Sequence, residues 1–455
     1  MKKFLVRHCQ TRKGEAIPKY KDCFVASLLA MTILAAGCAK SPGTVGSGPS
    51  STKKIVLWHW LTDRQDVLKD LAKKYQEISG VEIICELYAP SDAYSQKIMA
   101  AGQARALPDI YGILGEKRIF AAFINAGHAA ELTSYMQANN SEWKNSFFQK
   151  ALQANQFLEG NNYNVKPGFY GVPLDAMNVQ MVYNKRLFQQ AGLDPRFAPL
   201  TWQEFIAALG KLKQTGIKGL VSGLGETWLI DCLAHNYAFN IMGEEKVVDT
   251  MKGKVPYNDP DWVRVFKLFN ELARKQFLVS GVVTMGNKTA EQLFANERAA
   301  FSFNGSWCIN VYKGMNPNLE YAAMLPPKIS NQYPMTIWGG AGSSFLVNNR
   351  SKNKDEAVAF LRWLTTKKQQ IFLATQTLNL PSNKESLANI PEILSQFADD
   401  MDSVTHPNVL AVQENPKVIE AFTKGIQAII IGAKTPEQIA DEVWQVKQRI
   451  MQEAG

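Results

Sequence analysis

Gly171-Val-Pro-Leu-Asp175-Ala-Met-Asn-Val-Gln-Met-Val-Tyr183-Asn-Lys-Arg-Leu-Phe188-Gln-Gln-Ala-Gly192, followed by Thr201-Trp-Gln-Glu204 and a run to Lys213, is the stretch that decides the fold. Val179, Met181 and Tyr183 alternate with Gln180 and Val182, which suits a β-strand. Lys185 to Ala191 makes about two helical turns, and Gly192 stops them, because a residue without Cβ can take positive φ there. Thr201 and Glu204 have capping-box spacing, so Thr201 is expected to cap a helix running to about Lys213. Tyr183, Phe188 and Trp202 read as core.

These pieces, in this order, resemble the extracellular solute-binding proteins of bacterial ABC importers, of the sugar-binding, maltose-binding-protein-like kind. That family shows a GxP turn, a strand ending in YNK, a short LF..AG helix and a TW helix start. Other segments of the chain resemble it too. Leu293-Phe-Ala-Asn-Glu-Arg-Ala-Ala300-Phe-Ser-Phe-Asn-Gly305-Ser-Trp307 looks like its helix-to-strand element, with Asn296-Glu297 where a Gly is common. Gly339-Gly340 to Asn348, Lys354 to Leu364 and Leu380-Pro381 look like its GG strand, long helix and late LP turn. Ile429 to Gly432 with Thr435-Pro-Glu-Gln438 looks like its closing helix pair. The resemblance spans about residues 54 to 450.

Before the first of these elements lies a different kind of sequence. Residues 1–37 carry +5 of the formal net charge of +9, so the basic balance is poor evidence for nucleic-acid binding, and none is expected. Phe24 to Ala36 is an apolar run too short to span a bilayer comfortably. It ends Leu34-Ala-Ala-Gly37-Cys38, which resembles a lipobox. The resemblance implies that residues 1–37 are a lipoprotein signal peptide and that Cys38 is acylated, giving a membrane anchor on the extracytoplasmic side. Residues 38–53, rich in Ser, Gly and Pro, read as a flexible tether. Cys9 and Cys23 would leave with the signal. Cys85, Cys232 and Cys308 remain, enough for one internal disulfide at most, and read as small buried hydrophobes.

From residue 54 the chain alternates strand and helix. Ile55 to Trp60 reads as a strand. Thr62 and Gln65 have capping-box spacing ahead of a helix whose apolar face holds Val67, Leu68, Leu71, Ala72, Tyr75 and Ile78. Gly80, a strand over Val81–Leu87, a helix from Ser91 to about Ala106 and a strand from Pro108 follow. Such alternation argues for a parallel α/β sheet. The resemblance implies an α/β, two-lobe periplasmic-binding-protein fold (type II-like) with the ligand cleft between lobes. The first crossing is expected near Tyr170–Asp175 and the second near Leu325–Lys328. The N-terminal lobe then comprises 54–170 and about 328–365, the C-terminal lobe about 171–327 and 366–455.

There is no HExxH, GxSxG or GxxxxGK[ST] motif, and the five histidines show no ligand spacing, so no catalytic residue, metal or cofactor is expected. Sugars present apolar C–H faces and a rim of hydroxyls, so a receptor needs flat aromatic faces beside polar acceptors. Positions matching the family's cleft are Trp60, Asp63, Asp109, Glu116, Asp175, Trp228, Asn304, Trp307, Trp338 and Gly339. For Asp109 a turn carboxylate is an equal reading, and for Asp175 both readings stay open; Thr62 reads as a helix cap. Trp143, Trp262, Trp363 and Trp444 lie in helical patterns and read as packing. The function implied is a monomeric sugar receptor serving the permease subunits of an ABC importer. The alternatives are a secreted glycosidase, whose paired carboxylates need not be close in sequence, and the same fold binding a glycerol phosphodiester or polyamine.

Overall fold

A computed structural model describes residues 53–113, 117–161, 163–399, 401–406 and 414–454. The strands are β1 (Lys54–His59), β2 (Glu82–Leu87), β3 (Ile110–Ile113), β4 (Gln156–Phe157), β5 (Gly168–Phe169), β6 (Val172–Asn184), β7 (Leu220–Val221), β8 (Phe301–Gly305), β9 (Tyr321–Met324), β10 (Ile337–Val347), β11 (Leu380–Pro381) and β12 (Thr405–His406). β4 and β5 form a small ladder of their own. The rest form one sheet in the order β2-β1-β3-β10-β6-β8-β7, with β9 and β11 also on β6 and β12 on β10.

β1 pairs in parallel with β2 and β3, as the strand–helix alternation predicts. Its residues divide between the two sheet faces. Ile55 and Leu57 join Leu68, Leu71 and Phe360 in one core cluster. Trp58 and Trp60 pack on the opposite side, around Tyr94, Tyr111 and Phe120. Helices cover both faces, which makes this the first lobe. In the second, Val179, Met181 and Tyr183 of β6 join Phe301 and Phe303 of β8 in a large core, with Phe188, Trp202 and Trp262. Val182 turns to the other face, beside Phe294 and Tyr312.

β6 and β10 run through both lobes. They pair antiparallel from Val172–Phe345 to Asn178–Gly339, with an irregularity in register around Ser343. β6 begins beside Tyr170–Asp175, where the first crossing is expected. The second expected crossing, Leu325–Lys328, directly follows β9. β9, just before it, still pairs with the far end of β6 (Asn184 opposite Tyr321), and Lys328 bridges Thr201. Among the described residues β10 is the long strand paired antiparallel along β6. The helix Lys367–Thr377, expected with the C-terminal lobe, leans on the first-lobe helix Gln65–Ser79: the Lys74 ammonium lies 3.6 Å over the Phe372 ring, and Leu373 joins the first-lobe core.

Local signals perform as their chemistry dictates. Thr201 and Glu204 make both hydrogen bonds of a capping box at the start of Trp202–Gln214. Asn184 caps Lys185–Gln190 by accepting from Leu187 N–H at 2.8 Å. Two expectations fail. Thr62 caps nothing: Thr62–Arg64 is a 3-10 turn, and the helix begins at Gln65 without a side-chain cap. Ile78 is 67% exposed in the last turn of that helix. Cys85, Cys232 and Cys308 are free thiols, the last two buried. No helix among the described residues is long and apolar enough to cross a membrane.

Candidate ligand-binding site

The hinge-proximal end of the second lobe carries an aromatic pair backed by carboxylates. The Trp228 and Trp307 rings lie 5.7 Å apart at 52°. Trp228 sits at the start of the helix Thr227–Met251, 38% exposed, and donates its indole N–H to Glu226 Oε2 at 2.9 Å. Glu226 Oε1 accepts from the Asn287 backbone N–H at 2.7 Å. Trp307, just past β8, donates to Glu291 Oε1 at 3.2 Å. The same oxygen accepts from Asn287 Nδ2 and Asn304 Nδ2, each at 3.0 Å. Asn304 Oδ1 in turn accepts from Asn287 Nδ2 at 3.1 Å and from Gly305 N–H at 2.8 Å. Burial pushes the Glu291 carboxyl up from its ordinary range; the Asn304 and Trp307 donors oppose this, and the charge of Glu226 adds to it.

The indole of Trp307 lies across Gly305, where a Cβ would stand 2.0 Å from Cζ3. Only a residue without a side chain lets the ring approach this closely. Trp60 uses the same device in the first lobe. Its ring covers Gly112, where a Cβ would stand 2.3 Å from Cζ3, and packs against Tyr94 with centroids 5.2 Å apart. Tyr94 is fixed by donating to Gly112 O at 2.6 Å.

Between the lobes lies a polar knot. Arg64 is ion-paired with the buried Asp175 on β6. It also donates to Ser343 Oγ on β10 at 2.9 Å and to Asn379 Oδ1 at 2.7 Å. Asn379 Nδ2 donates to Asp63 Oδ2 at 3.0 Å, and Ser343 N–H donates to Asp175 Oδ1 at 2.5 Å. Burial pushes the Asp175 carboxyl up, and the Arg64 charge pulls it back.

Of the sequence candidates, Asn304, Trp307 and Trp228 come together on one wall. Asp63 and Asp175 meet in the hinge knot. Trp338 and Gly339 lie on β10 where it crosses: Gly339 pairs with Asn178, whose carbonyl accepts from Ser306 N–H at 2.9 Å, so the Trp307 turn abuts this strand. The Trp338 backbone N–H donates to Asn236 Oδ1 at 3.0 Å, and its half-buried ring packs on the second-lobe core. Asp109 is not with the others. Its carboxylate accepts from Val56 N–H at 2.9 Å and Ser351 Oγ at 2.5 Å. It stands at the N-terminal end of β3, whereas Trp60 follows the C-terminal end of parallel β1. Glu116 and Cys38 lie outside the described residues, as do the signal segment and nearly all of the tether.

Sequence reading missed Arg64, Asn287, Glu291, Ser343 and Asn379. Asn287 and Glu291 lie on the helix Asn287–Ala295, and only the fold brings that face to Asn304. Glu226, two residues before Trp228, was legible as its neighbour. Among the described residues no His, Cys, Asp and Glu group could hold a metal ion.

Two α/β lobes joined by paired crossing strands, with aromatic and polar walls on either side of the hinge, define a ligand-binding protein. Residues 70–401 match the family described as bacterial extracellular solute-binding protein, and the chain belongs to that family. It is a solute-binding receptor of ABC transport, not an enzyme. It is 22% identical over 357 residues to the multiple sugar-binding protein of Streptococcus mutans serotype c, covering 76% of this chain and 79% of that protein. It is 25% identical over 354 residues to the sn-glycerol-3-phosphate-binding periplasmic protein of Brucella melitensis biotype 1, covering 74% and 76%. Among solved structures, a chitin oligosaccharide binding protein superposes with a TM-score of 0.69 at 22% identity, over 88% of this chain and 99% of that one. At that identity the likeness shows the fold.

Proposed function

We propose that this receptor captures a mono- or oligosaccharide between its lobes outside the cytoplasm and delivers it to the permease subunits of an ABC importer. The observation that carries the reading is the Trp228–Trp307 pair with its carboxylate acceptors: adjacent apolar faces beside polar groups suit a pyranose ring. Trp60 and Trp338 add aromatic surface near the crossing strands, and Asp63, Asp175 and Gly339 line the hinge side. The lobes divide within β6 and β10. The receptor is a monomer, held to the membrane by a lipid on Cys38.

A calorimetric titration across a sugar panel, with sn-glycerol 3-phosphate alongside, tests the reading. At least one sugar is expected to bind tightly. Binding of the phosphate ester with no sugar response would overturn it.

A further inference from the structure

Resting on the sugar-receptor reading above, we propose that the second-lobe wall selects a sugar carrying a protonated amino group and rejects anionic ligands. The wall holds two carboxylates for which the described residues supply no ion-pair partner. Glu226 and Glu291 accept only from neutral donors: two indole N–H groups, two amide side chains and a backbone N–H. Among the described residues neither is ion-paired with a lysine, arginine or histidine, unlike the buried Glu414, which pairs with Lys447. The three donors to Glu291 converge on Oε1, and no described group donates to Oε2. Asn287, which links the two carboxylates, is about nine-tenths buried, and its Oδ1 has no partner. The wall is thus rich in unfilled acceptors and poor in free donors.

A hydroxyl both donates and accepts, so such a wall uses only its donor and leaves its lone pairs unmatched. An ammonium group only donates, three times, and carries the charge the site lacks. Beside an indole face it gains a cation–π contact. Against a carboxylate it makes a charge-assisted hydrogen bond, about twice as strong as a neutral one. A phosphate or uronate on the same sugar would meet two like charges in a partly desolvated place. Arg64, the cation between the crossing strands, is already committed to Asp175, Ser343 and Asn379.

The test is a titration of the full mature chain with matched sugars that differ in one substituent. Glucose, glucosamine and N-acetylglucosamine are used with their α- and β-linked oligomers, below pH 7 so that the amine is charged. sn-Glycerol 3-phosphate and spermidine complete the panel. The amino form is expected to bind on the order of tenfold or more tighter than its neutral counterpart. That ratio is expected to shrink with salt and to approach one in Glu226→Gln, a half-buried position whose loss the fold should tolerate; Glu291→Gln is the second variant, with melting curves recorded for both. Equal or tighter binding of the hydroxyl or N-acetyl form, or an unchanged ratio in both variants, overturns the inference and leaves the sugar receptor intact. A response to spermidine or the phosphate ester with none to any sugar overturns both.

Discussion

Arg64 and Asp175 form a buried ion pair that ties the first helix of one lobe to the strand by which the chain leaves it. Arg64 precedes Gln65–Ser79, and Asp175 lies on β6 opposite the register shift of β10 at Ser343. One guanidinium therefore touches both crossing strands and, through Asn379, the short strand region behind them. Desolvating both charges is costly, and the pair alone is weak evidence of stability. Its position suggests a geometric role: it fixes where the strands may bend.

Removing one partner should therefore hurt more than removing both. Arg64→Leu leaves the Asp175 carboxylate buried without its counter-charge and is expected to cost about 3–5 kcal/mol of folding stability. Arg64→Leu with Asp175→Leu should recover much of that loss. Denaturant unfolding of the single and double variants checks this, and a double variant as unstable as the single one would contradict it.

His59 predicts a pH dependence. It is fully buried on β1, its Nδ1 accepts from Leu61 N–H at 3.2 Å, and burial lowers its pKa from 6.5 to about 4. Between those values the unfolded chain binds the proton and the folded chain does not, so stability falls as pH falls from 6.5 toward 4. The drop should reach about 3 kcal/mol at most. His59→Gln keeps an acceptor and should flatten the dependence in that window, read from melting temperature against pH.

Lipid anchoring is a prediction of the Cys38 motif. Cys38→Ser is expected to move the protein from the membrane fraction to the soluble one. Continued sedimentation of that variant with membranes would remove the anchor from the account.

Elements with a local cause were legible in the sequence. The β6 alternation, the Thr201–Glu204 box and the Gly192 stop each depend on residues a few positions apart. A motif resemblance points at Trp228, Asn304 and Trp307, and the fold brings these three together. What escaped is long-range. Thr62 and Gln65 have the spacing of a cap, yet a 3-10 turn there aims Arg64 at Asp175, more than a hundred residues away. Asp109 looks like a ligand carboxylate until β3 is set parallel to β1, which puts it at the wrong strand end. Nothing within 325–328 signals that β9, just before it, pairs with the far end of β6.

Paired crossing strands also predict motion. A ligand touching both lobes favours the closed form through its differential affinity for that form. The radius of gyration from small-angle scattering should fall when the cognate sugar saturates the protein. An unchanged radius at saturation would argue for a rigid site.

The tryptophans separate binding from packing. Trp228 is 38% exposed and rests on Trp307, so Trp228→Ala should leave the melting temperature nearly unchanged. It should weaken sugar binding by roughly 1.5–3 kcal/mol, about ten- to a hundredfold in dissociation constant. Trp307→Ala should match that loss and add a modest stability cost, because its ring also covers Gly305 and its N–H holds Glu291. Trp338→Ala should cost more in folding, since its ring packs on the second-lobe core. Trp262, fully buried and donating to Thr250 at 2.9 Å, is the control: Trp262→Ala should lose about 3–5 kcal/mol of stability. Calorimetric affinities beside unfolding free energies for all four variants decide the matter. Normal sugar affinity in Trp228→Ala and Trp307→Ala would move the ligand to another wall of the cleft.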